Sequence, residues 1–273
     1  MDLTDEEIEW ANTLREEIEA DGELDSSRFS DFDVVQIALV SVEFNDYSDA
    51  LRRARSLQQF KKKYDIEDSA KAGLRAIKDL MVLFPGHLLS FSFDPVGGRY
   101  VIAIDRAQLR ASELELGGQG IRTLIKVWYY LAQAMTCDFD SIIRGWWFLV
   151  ESKDFVPSKH GTVTQFRQIA VDLALFYPAI FYKYCHYNTD STYTLFVSMI
   201  KWFMPIPLRE KIITGCKPPM GETLRDTFLQ PSLEVSNVKF IDAVQQALHR
   251  RYNNDASFVL SEAQPVEFDE QDV

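Results

Sequence analysis

The chain has 273 residues, with 29 lysines and arginines against 41 aspartates and glutamates, a formal net charge of −12. Its 47% hydrophobic and 13% aromatic content is ample for a packed core, which excludes wholesale disorder. The acidic balance argues against nucleic acid as a partner, because neutralising phosphates needs a basic surface.

That length allows one large domain or two small ones. Three scattered cysteines, Cys137, Cys185 and Cys216, form no CxxC pair and point to reduced, buried thiols in a cytoplasmic setting. The start, MDLTDEEIEW, is acidic where a presequence would be basic. No apolar run approaches the roughly 18 residues of a membrane span. Charge is segregated along the chain. Residues 1–49 hold 16 acids against Arg15 and Arg28, residues 255–273 hold six acids and no base, and the body between them is net positive. Acidic ends on a basic body read either as solvated flanks or as modulators of a surface that meets an anion.

In chain order, Thr4-x-x-Glu7 forms a capping box, and Ile8, Ala11, Leu14 and Ile18 follow at near-helical spacing. Residues 33–42 suit a short buried helix. Ser48 can cap a basic helix over 49–64, and residues 69–83 suit a fourth helix. The period then changes: Leu89, Phe91 and Phe93 alternate with serines, Val96-Gly97-Gly98-Arg99 turns, and residues 88–105 read as a β-hairpin. Residues 120–136 are helical. The run Trp146-Trp147-Phe148-Leu149-Val150 is apolar on both faces, as a central strand would be. Phe166, Ile169, Ala170, Leu173 and Phe176 line one helix face ahead of Pro178. Residues 182–188 suit a strand, and Leu195, Phe196, Met199, Ile200 and Phe203 mark an apolar helix. A short strand over 211–214 and a helix over 241–252 close the pattern. Helices and strands alternating after a hairpin predict an α/β sheet of mixed direction.

Enzyme motifs are absent. There is no GxSxG elbow, GxxxxGK[ST] loop or HExxH helix. Gly117-Gly118-Gln119-Gly120 reads as a loop, and His87, His160, His186 and His249 share no ligand spacing, so neither a metal nor a cofactor is expected. Cys185 and His186 would point to opposite faces of their strand, which rules out a dyad. Glu151 and Asp154 could form a carboxylate pair, although loop hydrogen bonding or a salt bridge explains them better.

From Asp94 onward the order of signals resembles one family. Asp94-Pro-Val-Gly-Gly98-Arg99-Tyr-Val101 is similar to its D-x-x-G-R-x-V hairpin. Gly145-Trp-Trp-Phe-Leu-Val-Glu151 resembles its central strand, Phe176-Tyr177-Pro178 its Tyr-Pro corner, and Tyr184-Cys-His-Tyr-Asn188 the strand that follows. Phe196-Val-Ser-Met-Ile-Lys201-Trp-Phe203 and Lys211-Ile212 resemble its F-x-x-(I/V)-K-P-F helix and closing strand. This is the CRAL-TRIO lipid-binding family, and the wording around Ser198-Met-Ile-Lys201 leans toward its α-tocopherol transfer and retinaldehyde-binding branch. Half of the family's inositol-phosphate pattern is missing, with Ala179 and Leu208 at two of its positions.

The resemblance implies a CRAL-TRIO α/β fold: a mixed, mostly parallel sheet flooring an apolar pocket, over 85–235. A helical lobe over 1–84 precedes it, and a helix and acidic tail over 236–273 follow. It implies a non-enzymatic carrier of one hydrophobic lipid, gated by the helix over 191–203 and working in the cytoplasm at the periphery of an anionic membrane. The pocket would be lined by Phe91, Ile102, Tyr129, Trp147, Phe148, Phe155, Phe166, Ile169, Phe196, Met199 and Ile200. Lys201, Trp202, Phe203, Arg209, Lys211 and Lys217 would meet the membrane or its phosphoinositides. The rival expectation is a signalling adaptor whose domain binds a protein or membrane surface without transferring lipid.

Overall fold

The structure is a computed structural model that describes residues 3–43, 49–176, 181–204, 206–217, 222–228 and 233–253. The Ser48 cap, the Tyr177-Pro178 corner with Ala179, and the acidic tail lie outside the described residues.

Four helices open the fold: α1 (Asp5–Ala20), α2 (Asp31–Glu43), α3 (Ala50–Lys63) and α4 (Ala70–Leu83). The capping box forms as its sequence predicts. Glu7 N–H donates to Thr4 Oγ1 at 3.2 Å, and Thr4 N–H to Glu7 Oε2 at 2.8 Å. Ser69 caps α4 by accepting from Ala72 N–H at 3.2 Å. These helices turn Leu14, Ile18, Ile37, Ala54, Leu57, Phe60, Ile77 and Leu80 into the core.

The hairpin follows as β1 (Leu88–Asp94) and β2 (Arg99–Asp105), then α5 (Gln119–Met135), α6 (Phe139–Arg144) and β3 (Trp146–Glu151). Next come α7 (Pro157–His160), α8 (Val163–Phe176), β4 (Phe181–Tyr187), α9 (Ser191–Lys201), α10 (Ile206–Glu210), β5 (Ile212–Cys216), α11 (Leu224–Phe228) and α12 (Leu233–Asn253). Among the described residues the sheet has five strands in the order β1-β2-β3-β4-β5. Only the hairpin pair is antiparallel; β2 through β5 run parallel, with helices in each crossover. The expected mixed, mostly parallel α/β architecture is what the chain adopts.

The tryptophan-rich β3 is the middle strand and every residue in it is buried. Both faces are covered, which explains why its sequence shows no alternation. Ile102, Ile104, Trp146, Phe148, Val150 and Tyr184 face the main core, whereas Val101, Ala103, Trp147, Leu149, Cys185 and Tyr187 form a second cluster on the other face with Leu224 of α11.

The terminal helix α12 is longer than its periodicity suggests and packs on α4, α5 and β1. Its Arg251 ends in the core of the helical lobe, 2.9 Å from Asp33, and also donates to Gln133 Oε1 at 2.7 Å and the Thr136 carbonyl at 3.0 Å. Lys61 joins the same polar knot through Asp68 at 2.8 Å and Asp33 at 3.3 Å. A pair so buried holds only because each charge is matched, and removing one partner strands the other.

Candidate functional site

On its main-core face the sheet leaves a cavity between itself and α5, α8, α9 and α10. The floor is Ile104, Trp146, Phe148 and Tyr184. One wall is Leu124, Trp128 and Ala132 from α5, the opposite wall Phe166, Ile169, Ala170 and Leu173 from α8, and the cover Ile200, Met204 and Leu208 from α9 to α10. His87, Arg106 and Leu109 complete it. These walls exist because α5 and α8 each carry an apolar stripe at helical spacing, and both stripes need the sheet to cover them. The water-accessible volume is about 90 Å³. That is room for a few water-sized groups between apolar walls.

The expected pocket residues divide. Phe148, Phe166, Ile169 and Ile200 line the cavity. Phe91 and Ile102 lie in the same core without reaching it, with Phe91 stacked on Tyr100 at 5.6 Å. Phe155 and Phe196 join Tyr193 and Phe166 in an aromatic cluster beside the cavity, with centroids 5.1 to 6.2 Å apart. Tyr129 turns toward the helical lobe, where its hydroxyl donates to Asp68 at 2.7 Å. Trp147 and Met199 face away from the cavity. Trp147 belongs to the opposite face of the sheet, because alternation sends it away from Trp146 and Phe148. Met199 is 40% exposed and points outward.

The exposure of Met199 reveals something periodicity missed. Helix α9 is apolar on both sides. Tyr193, Phe196, Val197 and Ile200 face inward, while Leu195 and Met199 of α9, Trp202 at its C-cap and Ile206 at the start of α10 make an outward apolar stripe on the cover, 62, 40, 75 and 65% exposed. The basic residues around it are partly committed. Lys201 donates to the Ile212 carbonyl at 3.0 Å, and Arg209 to the carbonyls of Met204 at 2.7 Å and Trp202 at 3.0 Å. Phe203 packs under the Arg167 guanidinium at 4.7 Å. Lys211 is half-buried and Lys217 exposed.

The polar residues in the wall carry the rest of the site's character. Arg106 donates to the hydroxyls of Tyr184 and Tyr193, the latter at 3.2 Å. Tyr193 in turn lies 2.9 Å from His186 Nδ1. Burial, with Arg106 and Lys201 nearby, holds His186 well below the usual histidine range. His87 is pushed down to about 4, chiefly by burial. Arg106 and His87 were not singled out from sequence, although a signal existed: they flank the two outer ends of the predicted hairpin, which must lie side by side.

Glu151 is no half of a carboxylate pair. It accepts from the backbone N–H groups of Ser152, Lys153 and Leu224 at 3.0, 2.8 and 2.7 Å, and from Asn188 Nδ2 at 3.0 Å, which ties the loops after β3 and β4 to α11. Cys185 and His186 do point to opposite faces. Among the described residues no group of three or more His, Cys, Asp or Glu could hold a metal ion, and no helix is long and apolar enough to cross a membrane.

Neither a family model nor a curated relative matches the chain. Among solved structures it is similar to that of Sfh5, with a TM-score of 0.49 and 13% identity, over 78% of this chain and 82% of that one.

Proposed function

We propose that the chain is a non-enzymatic carrier that encloses a small hydrophobic lipid in this cavity and exchanges it at an anionic membrane, in the manner of the CRAL-TRIO family that its motifs resemble. The observation that carries this reading is the cover of the cavity: α9 and α10 seal apolar walls from inside while presenting Leu195, Met199, Trp202 and Ile206 to solvent. An outward apolar stripe on a sealing helix is costly in water and favourable in a lipid interface. The same contact that seats the stripe in the membrane would draw the cover off the cavity and let a ligand in. On closure, retention comes from burying the ligand's apolar surface, at roughly 25 cal/mol per Å². Half-buried Lys211 and exposed Lys217 flank β5, and each cation that meets an anionic surface would add roughly 1 kcal/mol. The carrier would work in the cytoplasm, peripheral to membranes.

The test is transfer of a fluorescent lipid from donor to acceptor vesicles by trace amounts of the protein. Transfer should be faster when acceptors contain phosphatidylserine or phosphoinositides, and this gain should shrink as salt rises. A transfer rate equal to the protein-free rate on every acceptor refutes the proposal.

A further inference from the structure

Most of the cavity wall can only exclude water, but two side chains on it can do more. Arg106 directly follows β2 and His87 directly precedes β1, and the hairpin register that sets Leu88 opposite Ile104 brings them to the same end of the cavity. His87 Nδ1–H donates to the Asp105 carbonyl at 2.7 Å, and Asp105 N–H donates to the His87 carbonyl at 2.7 Å. With Nδ1 spent, Nε2 of the neutral ring is an acceptor, and this buried atom has no hydrogen-bond partner. Arg106 is its complement. The guanidinium gives N–H groups to the Tyr184 and Tyr193 hydroxyls and lies over the Phe166 ring at 4.8 Å, and among the described residues it forms no ion pair with a carboxylate. The buried acceptor without a donor carries a cost that a molecule in the cavity can relieve, and the half-buried guanidinium beside it offers that molecule a positive charge.

Building on the lipid-carrier reading, we propose that the cavity selects a lipid with a carboxylic acid head, a long-chain fatty acid, held by Arg106 and His87. The carboxyl group has an oxygen for each. One accepts from the guanidinium, in the charge-assisted geometry that arginine and carboxylate share. The other shares a single proton with Nε2: un-ionised, the acid donates it to the ring; ionised, the acid accepts it from the ring. The chain then runs along Leu124, Ile169 and Leu173. An alcohol brings no negative charge to Arg106, and an ester has no proton for Nε2.

The experiment measures binding of hexadecanoic acid, 1-hexadecanol and methyl hexadecanoate to the delipidated full chain. The acid should bind about tenfold tighter than the other two, and Arg106→Gln should bring it down to their level. Ala170→Trp, which fills the cavity, should abolish binding of all three. Equal affinity for acid and ester, or an acid preference that survives Arg106→Gln or Ala170→Trp, overturns the head-group assignment and leaves a lipid cavity in place. If none of the three binds, the carrier reading itself falls. Should circular dichroism show Arg106→Gln unfolded, the acid-to-ester ratio on the parent protein decides.

Discussion

The hydroxyl of Tyr193, in the first turn of α9, lies 2.9 Å from Nδ1 of His186 on β4 and accepts from Arg106 at 3.2 Å. Burial keeps His186 neutral, and the one hydroxyl bridges its ring and the guanidinium. The cover of the cavity is therefore latched to its floor by a polar relay rather than by packing alone. Tyr193→Phe leaves a buried acceptor and a buried donor unmet, which should lower stability by about 1–3 kcal/mol in urea titrations and speed ligand release. An unchanged midpoint together with an unchanged release rate would show that packing alone holds the helix.

Acid should loosen the same region. His87 and His186 are neutral and buried in the folded chain and titrate normally when unfolded. The unfolded state then binds more protons below about pH 6.5, so stability falls as pH drops from there toward the folded value, which for His87 is about 4. Each histidine contributes up to about 1.4 kcal/mol per pH unit in that window. Urea midpoints for the parent and for His87→Phe, taken between pH 7.5 and 5, should diverge, with the variant less sensitive. Parallel curves would assign the acid sensitivity elsewhere.

The two faces of α9 separate cleanly by substitution. Ile200→Arg places a charge in the apolar wall and should abolish lipid uptake, whereas Met199→Trp, on the outward side, should leave equilibrium uptake unchanged. Loss of uptake in Met199→Trp would mean that the helix turns over when it binds.

Outward residues should instead control delivery. Trp202→Ala with Ile206→Ala removes the two most exposed members of the stripe and should slow vesicle-to-vesicle transfer several-fold while equilibrium binding holds. Transfer at the parental rate would exclude the stripe from docking.

Much of the fold was legible because its periods are clean. The Thr4–Glu7 capping box, the alternating hairpin and the doubly covered β3 each give one reading, and each is present. The site was legible only in part. In Trp146-Trp147-Phe148 every residue is apolar, so nothing local says which face Trp147 takes; the neighbouring strands decide. Helix α9 has the same ambiguity, since both of its sides are apolar and only the packed structure assigns Phe196 inward and Met199 outward. Arg106 and His87 are isolated in sequence and reach the same cavity only when the hairpin closes.

The claim that this cavity holds a lipid is tested most directly by organic extraction of the purified chain followed by mass spectrometry, with Ala170→Trp extracted alongside. A hydrophobic lipid approaching one per chain in the parent, and missing from the cavity-filled variant, is the result expected. Extracts in which parent and variant carry the same lipid load, or none, would contradict it.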